Sequence, residues 1–249
     1  MNRRDIRHYL KLSGKIILDG IYPRGCVVCG GPLEFDKRDH PERTHEECME
    51  FLKPVDGPVC CKCGKKINAD ETRCSDCKGT ERIFDGAVSV FEYNNAIKES
   101  IYRFKYKNKR EYASAFAYMI AKNQKRIIEH WQPDVVIPVP MHPDKKKVRG
   151  YDQAEILAKE TADIFRIRMD GDTLVRKKQT VPQKELSTKK RYMNLEGAFE
   201  ARKSLKGKKV LLIDDIYTTG ATFDSCAHVL KRAGAEKVYG ASLCIGRGM

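Results

Sequence analysis

Eight of the ten cysteines lie between residues 26 and 77, and their spacing limits how this segment can fold. Four ligand pairs follow one another, each with a two-residue gap that lets a tight turn aim two ligands at one ion. Residues 21–82 contain few large apolar side chains, so metal binding is expected to supply much of their folding free energy. We predict two structural, four-coordinate Zn²⁺ sites. Their ligands are Cys26, Cys29, His45, Cys48, Cys60, Cys63, Cys74 and Cys77.

The division of these ligands between two ions follows from loop length. Pairing in chain order encloses loops of 15 and 10 residues, which close at a lower entropic cost than interleaved pairs. We therefore predict that Cys26 to Cys48 hold one ion and Cys60 to Cys77 the other. The alternatives are disulfides, which are rare in cytoplasmic proteins, and iron–sulfur ligation, which a histidine among the ligands makes less favourable. His45 is the weakest ligand, with a surface histidine as the alternative interpretation. His40 is a competing candidate, but only His45 has the two-residue gap before Cys48.

Beyond residue 82, apolar stretches typical of buried strands alternate with helical patterns. Strands are predicted at residues 87–92, 134–139, 210–213 and 238–244. Helices are predicted at residues 95–106, 111–130, 152–165 and 222–233, with Asp152 capping the third and a basic loop preceding it. Strands alternating with helices imply an α/β fold with a parallel sheet flanked by helices. We expect two domains, a metal-binding module at residues 1–82 and the sheet domain at residues 83–249.

The positive charge is concentrated in the second of these domains. Residues 1–82 hold 16 Lys and Arg against 14 Asp and Glu, whereas residues 83–249 hold 32 against 20. Such a field favours a polyanionic ligand, with general solubility as the plain alternative. No apolar stretch is long enough to span a bilayer and no signal peptide is evident, so we expect a cytoplasmic protein. Residues 2–19 are predicted to form a basic amphipathic helix that docks on the protein body or contacts a membrane peripherally.

The segment KVLLIDDIYTTGAT, residues 209–222, combines features of an anion site. An apolar strand delivers Asp214 and Asp215 at its carboxyl end, and a loop of small and hydroxyl residues leads into a helix. Ligands of wound sheets bind beyond the carboxyl ends of strands. Small residues let backbone N–H groups approach an anion, and the helix N-terminus adds partial positive charge. The pattern therefore predicts a phosphate cradle with two carboxylates beside it.

Residues 210–222 resemble the phosphoribosyl-pyrophosphate (PRPP) motif of type I phosphoribosyltransferases. The resemblance implies that Asp214 and Asp215 meet the ribose hydroxyls, directly or through Mg²⁺. It also implies that the loop after them holds the 5′-phosphate of PRPP. The loop residues are Tyr217, Thr218, Thr219, Gly220, Ala221 and Thr222. The fold implied is the type I phosphoribosyltransferase-like parallel sheet.

Two further segments, PVPMHPDKKKVRGYDQAE (138–155) and TVPQKELSTKKRYMNLEGAFE (180–200), extend the resemblance to the ComF/ComFC family of competence proteins. About residues 16–245 fit that family's layout, including an N-terminal double zinc ribbon. Many members carry Cys where this chain has His45. The family implies a pyrophosphate loop at Val139, Pro140, Met141 and His142, with Arg149 nearby. It implies a mobile loop at Thr180 to Asn194, carrying Gln183, Lys189 and Arg191.

Two functions follow from this resemblance. The first is an enzyme, a phosphoribosyltransferase (a glycosyltransferase) that uses Mg-PRPP with an unknown acceptor. The second is a non-enzymatic module that binds DNA or a partner and uses PRPP as a regulatory ligand. The family implies a role in natural transformation and DNA uptake, with competence machinery proteins as partners. Candidate contacts to single-stranded DNA lie in RFKYKNKREY (103–112), with Phe104, Tyr106 and Tyr112 for stacking and Arg103, Lys105, Lys107, Lys109 and Arg110 for phosphates.

Overall fold

The computed structural model describes residues 24–34, 39–178, 195 and 197–246. The predicted N-terminal helix at residues 2–19 lies outside these ranges. The predicted mobile loop, with Gln183, Lys189 and Arg191, also lies outside them. Within the described part of the chain, no helix is long and apolar enough to cross a membrane.

The described chain begins with the cysteine-rich segment and continues into alternating strands and helices. Two short helices lie in the cysteine-rich segment, α1 (Glu46–Glu50) and α2 (Ser75–Lys78). The other helices are α3 (Asn95–Tyr106), α4 (Tyr112–Trp131), α5 (Pro143–Arg149), α6 (Gln153–Phe165) and α7 (Ala221–Arg232). The strands are β1 (Gly86–Glu92), β2 (Val135–Pro138), β3 (Arg168–Met169), β4 (Leu174–Arg176), β5 (Phe199–Ala201), β6 (Lys209–Tyr217) and β7 (Lys237–Ile245).

Five of these strands form one parallel sheet in the order β1-β7-β6-β2-β3. The central strand, β6, is buried over Val210 to Ile213, which explains its apolar sequence. Strands β4 and β5 pair antiparallel as a separate two-stranded sheet. The predicted α/β fold with a parallel sheet flanked by helices is therefore confirmed. The proposed domain boundary after residue 82 stays a prediction.

One segment differs from its predicted structure. Residues 143–149 were expected to be a basic loop, but they form helix α5. Pro143 favours the first helical turn, the His142 side chain caps it, and Gly150 ends it with a positive φ of 81°. None of the residues of α5 is buried, and three of them are consecutive lysines. The helix therefore lacks the apolar periodicity by which the other helices were predicted. The short strands β3, β4 and β5 were not predicted either.

The cysteine-rich segment packs against both faces of the sheet. Consecutive β6 residues point to opposite faces, so Leu211 and Leu212 belong to different core clusters. The first ribbon (residues 24–34 and 39–52) joins the cluster of Leu211, together with α3 and α4. The second ribbon (residues 58–78) joins the cluster of Leu212, together with α7. The two ribbons therefore support the sheet from opposite sides.

Candidate functional site

Potential metal ligands gather in two groups, one in each ribbon. The ligand atoms of each group lie within 4.8 Å of one another. The groups are Cys26, Cys29, His45 and Cys48, and Cys60, Cys63, Cys74 and Cys77. They match the pairing in chain order expected from loop length. Sulfurs around a tetrahedral Zn²⁺ lie about 3.8 Å apart, close to the 3.5 Å between Cys63 Sγ and Cys74 Sγ. Both groups therefore support structural zinc.

The ring of His45 is oriented as a metal ligand would be. Its Nδ1 lies 3.4 Å from Cys29 Sγ and 3.7 Å from Cys48 Sγ. Its Nε2 lies 3.1 Å from the carbonyl oxygen of Pro32, which can only accept a hydrogen bond. A proton on Nε2 leaves the Nδ1 lone pair free for an ion, as in metal sites where a second partner fixes the imidazole tautomer. His40, the competing candidate, belongs to neither group.

The two predicted carboxylates lie where β6 extends beyond its neighbour. The β2–β6 ladder ends at the pair Pro138 and Ile213, so Asp214 and Asp215 continue past the end of β2. Asp215 is 4% exposed, and its N–H donates to Asp214 Oδ1 at 2.8 Å. Two adjacent carboxylates at the carboxyl edge of a parallel sheet form an acidic centre suited to a diol or a divalent cation.

The two carboxyl groups differ in their affinity for a proton. Burial and the adjacent charge of Asp215 raise the pKa of Asp214 well above its usual value. Burial also opposes ionisation of Asp215, but Lys105, Asp214 and Arg149 together outweigh this effect and lower the pKa of Asp215. Asp215 therefore ionises first, and Asp214 ionises only at higher pH.

Lys105, which reaches this centre from α3, was not predicted to belong to it. Its Nζ forms an ion pair with Asp215 Oδ2, and the Lys105 side chain is only 19% exposed. Its predicted contact with single-stranded DNA stays a prediction. Its neighbour Phe104 is buried on the inner face of α3, a position that could have suggested that Lys105 borders the core. Because Asp215 lies 110 residues further along the chain, no local sequence pattern predicts this contact.

The predicted phosphate loop joins β6 to α7. Gly220 precedes α7 with a φ of 83°, and no side chain caps the first turn of this helix. The partial positive charge at the N-terminus of this helix favours an anion beside the loop. The Tyr217 ring packs edge-on against Phe223 in the core, with centroids 5.6 Å apart, so its side chain supports the loop from inside. The remaining predicted loop residues are Thr218, Thr219, Ala221 and Thr222, of which Thr218 and Thr222 are half-buried.

The predicted pyrophosphate loop, Val139 to His142, begins beside the carboxylates. The Val139 N–H donates to the carbonyl oxygen of Ile213 at 2.9 Å. Asp152 fixes the loop, because its Oδ2 accepts the Met141 N–H at 3.0 Å while its Oδ1 caps α6. The predicted capping role of Asp152 is confirmed. Pro140, Met141 and His142 are partly exposed at this edge.

Arg149, at the end of α5, lies close enough to act on the acidic centre. Its charge contributes to the lowered pKa of Asp215. Its guanidinium donates to Gln153 Oε1 and lies 4.8 Å from the centre of the Tyr106 ring. The structure therefore brings Arg149, Lys105 and the carboxylates into one electrostatic neighbourhood.

The basic and aromatic residues of 103–112 divide into core and surface groups. Phe104 and Tyr112 are fully buried, so their prediction as stacking residues is wrong. The Arg103 guanidinium donates to the Val28 carbonyl at 2.7 Å, which anchors α3 to the first ribbon. Tyr106 is 60% exposed, and Tyr102, which sequence reasoning missed, is 46% exposed one helical turn earlier. Their ring centroids lie 5.1 Å apart.

Comparison with known families assigns these two regions. Residues 111–248 match the phosphoribosyl transferase domain and residues 17–78 match the double zinc ribbon domain. The chain therefore belongs to the phosphoribosyl transferase domain family, and it carries a double zinc ribbon before that domain.

Three individual proteins are similar to this chain over most of its length. The chain is 27% identical to competence protein F of Haemophilus influenzae, over 86% of this chain and 93% of that protein. It is 29% identical to competence protein ComFC of Bacillus subtilis, over 86% of this chain and 92% of that one. It is 27% identical to the DNA utilization protein YhgH of Escherichia coli O6:H1, over 76% of this chain and 85% of that protein. The predicted membership of the ComF/ComFC family is confirmed.

Proposed function

We propose that this chain binds Mg-PRPP at the carboxyl edge of its sheet and acts in the handling of DNA taken up by the cell. The observation that carries the first part is the adjacent pair of carboxylates, half-buried Asp214 and buried Asp215, placed just before the loop that leads through Gly220 into α7. The names of the relatives, competence protein and DNA utilization protein, support the second part. Location in the cytoplasm and contact with competence machinery proteins stay predictions.

Each part of PRPP has a matching group of residues in this proposal. Asp214 and Asp215 accept hydrogen bonds from the ribose hydroxyls or hold Mg²⁺, and Gly220 to Thr222 receive the 5′-phosphate. Arg149 and the loop from Val139 to His142 receive the pyrophosphate. When bound, Mg²⁺ neutralises charge on the pyrophosphate oxygens. Arginine and backbone N–H groups are the donors that phosphate oxygens prefer.

Lys105 acts as a competitor in this scheme. Its ammonium group pairs with Asp215, which lowers the cost of burying that carboxylate. A divalent cation or a ribose hydroxyl at Asp215 has to share or replace this ion pair. We therefore expect Lys105→Met to destabilise the free protein, because it leaves Asp215 buried without a counter-charge.

Transfer of the phosphoribosyl group is the reaction that such a site performs when an acceptor is present. The bond between C1′ of the ribose and the pyrophosphate oxygen breaks, and a bond from C1′ to the acceptor nitrogen forms. The acceptor nitrogen loses a proton and pyrophosphate departs. Preorganised positive charge at the departing oxygens lowers the barrier for this step. If no acceptor exists, the same site serves as a regulatory PRPP sensor.

Calorimetric titration of Mg-PRPP into the zinc-loaded chain tests the site. Asp215→Asn should weaken binding roughly 10- to 100-fold, the cost of losing a charged hydrogen-bond partner. The matched control is Asp134→Asn at the opposite edge of the same sheet, where Asp134 accepts the Lys209 N–H at 2.8 Å. This control should bind as the wild type does.

The outcomes separate the two forms of the proposal. Binding that survives Asp215→Asn would contradict the site, and no binding by the wild type would contradict PRPP as the ligand. Where binding holds, pyrophosphate release with candidate acceptors distinguishes the enzyme from the sensor. Release that needs Asp215 assigns a transferase, and tight binding without release under any acceptor assigns a regulatory ligand.

A second candidate function, contact with single-stranded DNA, is favoured by the exposed pair Tyr102 and Tyr106. Nucleic-acid bases stack on exposed aromatic rings, and neighbouring cations hold the backbone. Arg149 lies over the Tyr106 ring, and Lys107 and Lys109 follow on the chain. These residues border the acidic centre through Lys105, so bound DNA and PRPP would be neighbours.

Fluorescence anisotropy with a labelled oligo(dT) tests this surface. Replacing both tyrosines with alanine should weaken binding by roughly 1–3 kcal/mol per stacked base. The control is Phe51→Ala, which removes a 62% exposed aromatic ring from the first ribbon. Equal affinity of the wild type and the double tyrosine variant would contradict a stacking role, whatever the salt dependence of binding.

A further inference from the structure

Arg82 connects the second group of metal ligands to the helix that begins the phosphate loop. Its Nη1 donates to Asp224 Oδ2 at 3.0 Å, in a pair whose side chains are 2% and 5% exposed. Its Nε donates to Cys77 Sγ at 3.4 Å, and its Nη2 to the Asp76 carbonyl at 3.1 Å. One guanidinium thus contacts a predicted zinc ligand and the first turn of α7.

Asp224 carries this connection to the loop. Its Oδ1 accepts the Ile83 N–H at 2.8 Å, so both carboxylate oxygens hold the segment that follows the second ribbon. Its own N–H donates to the Gly220 carbonyl at 2.8 Å. The first turn of α7 is therefore fixed by residues 82 and 83 rather than by a cap of its own.

Arg82 also packs against the loop directly. A Cβ placed on Gly220 would lie 3.0 Å from Arg82 Nη1. Two residues after Arg82, Phe84 packs edge-on against Tyr217 and against Phe223, each with centroids 6.2 Å apart. The second ribbon and its exit segment thus form one side of the phosphate loop.

The charges explain why an arginine is needed at this position. Asp224 is 3% exposed and lies in the first turn of α7, where a phosphate bound at Gly220 would also approach. An uncompensated carboxylate there would repel the phosphate and would itself be costly to bury. Arg82 removes that repulsion, and its Nε is held by a cysteine of the ligand group.

We propose that Arg82 is a positioning residue that makes 5′-phosphate binding depend on the second metal-binding ribbon. The inference rests on the proposed function, because it assumes that the loop binds the 5′-phosphate of PRPP. It adds to that function a specific contact, through Arg82, by which the second ribbon affects binding of the 5′-phosphate. The pyrophosphate end of the ligand, at Val139 and Arg149, is expected to bind independently of Arg82.

Titration of two part-ligands into the zinc-loaded full chain tests this route. Ribose 5-phosphate reports on the phosphate loop, and inorganic pyrophosphate with Mg²⁺ reports on the other end of the site. Arg82→Gln should weaken ribose 5-phosphate binding roughly tenfold, as expected for the loss of one charged hydrogen-bond partner. Pyrophosphate binding should change by less than about twofold, a split that general loss of structure would not produce.

A double variant keeps the test valid if Arg82→Gln folds poorly. Combining Arg82→Gln with Asp224→Asn creates a neutral pair that can still hydrogen-bond and leaves no buried charge. It should restore ribose 5-phosphate binding to within about threefold of the wild type. The control is Lys65→Gln, which breaks a 2.5 Å ion pair with Asp76 in the same ribbon and should leave both ligands unaffected.

Four outcomes overturn the inference and leave the proposed function standing. They are unchanged ribose 5-phosphate affinity in Arg82→Gln, equal loss for both part-ligands, a double variant as weak as Arg82→Gln, and a Lys65→Gln variant that behaves like Arg82→Gln. Wild-type protein that binds neither part-ligand nor Mg-PRPP overturns the proposed function instead, and the inference with it. Zinc content and melting temperature of every variant are measured alongside.

Discussion

At the scale of single residues, Gly220 shows how closely the loop is packed. Its φ of 83° is a conformation that favours glycine, and a Cβ there would overlap the Tyr217 hydroxyl. That hydroxyl is buried and has no hydrogen-bond partner among the described residues. The Tyr217 side chain thus occupies the space that a side chain at position 220 would need.

Gly220→Ala is therefore expected to weaken Mg-PRPP binding at least about tenfold, because the loop must move to relieve the overlap. Gly207→Ala is the matched control: Gly207 also has a positive φ, of 70°, but a Cβ there meets nothing within 4 Å. Calorimetry and thermal melting on both variants separate backbone strain from overlap. Similar affinity in the two variants would show that the crowding at Gly220 does not matter for binding.

The second residue-scale prediction concerns Asp214 and pH. Its pKa is raised by burial and by Asp215, so the folded chain holds that proton more tightly than the unfolded chain does. This contribution to stability is full below the usual Asp pKa of about 3.9 and is lost as pH rises through the raised value. Asparagine cannot ionise and avoids the loss. Asp214→Asn should therefore melt at a higher temperature than the wild type by a margin that grows with pH.

Melting temperatures at about pH 5 and about pH 8 measure that margin. Asp134→Asn, remote from the acidic centre, supplies the baseline. The Asp214 variant should gain stability and lose Mg-PRPP binding together, as expected when a binding site retains a costly buried charge. A margin that stays constant or shrinks with rising pH would show that Asp214 is not the carboxyl that resists ionisation.

At the scale of helices and strands, the phosphate loop depends on how α7 packs on the sheet. Phe223 lies over Gly240 of β7 so closely that a Cβ on Gly240 would overlap the ring, with Cδ2 at 2.5 Å. Phe223 also contacts Tyr217, whose ring supports the loop. The absence of a side chain at one position of β7 therefore sets the height of α7 above the sheet.

Gly240→Ala should destabilise the fold by about 1–3 kcal/mol, the usual cost of overpacking a core. It should also weaken ribose 5-phosphate binding more than pyrophosphate binding, because α7 rises together with the loop. Gly79→Ala is the control, since the nearest atom to its Cβ would be the Ser75 oxygen at 3.8 Å. If Gly240→Ala lowers stability but changes neither ribose 5-phosphate nor pyrophosphate affinity, the packing of α7 does not control binding at the loop.

Local signals in the sequence predicted most of these elements. Residues 95–106 match α3 because Asn94 caps the Ile97 N–H and the apolar residues recur at helical spacing. The strand predicted at residues 210–213 continues to Tyr217, because its apolar run stops at Asp214 and Asp215 while its ladder of hydrogen bonds continues. Contacts between distant segments, such as Lys105 with Asp215 and Arg82 with Asp224, depend on the folded topology and leave no periodicity to detect.

At the scale of the whole molecule, each ribbon supports one part of the candidate site. The second ribbon reaches the phosphate loop through Arg82. The first ribbon holds α3, since Val27 and Val28 accept hydrogen bonds from Ser100 and Arg103, and α3 carries Lys105 to Asp215. The ribbons lie on opposite faces of the sheet. Loss of either ribbon is thus expected to damage a different end of the site.

His45 offers a test of the first ribbon alone. Elemental analysis of the purified chain should give about two zinc ions, and His45→Ala should reduce this to about one, because three ligands hold structural zinc poorly. His45→Cys should keep about two, since a thiolate at this position completes a four-sulfur site. Both variants leave the second ribbon and Arg82 intact.

Loss of zinc from the first ribbon should also affect stability and ligand binding. With the first ribbon weakened, α3 loses the support of Val27 and Val28, and its Tyr106 ring no longer holds the Arg149 guanidinium, 4.8 Å from the ring centre, beside the pyrophosphate end. His45→Ala should therefore melt at a lower temperature and bind Mg-pyrophosphate more weakly, while ribose 5-phosphate binding changes less. His45→Cys should resemble the wild type in all three measurements. Two zinc ions in His45→Ala would remove His45 from the ligand set and leave the imidazole as a donor to Pro32 only.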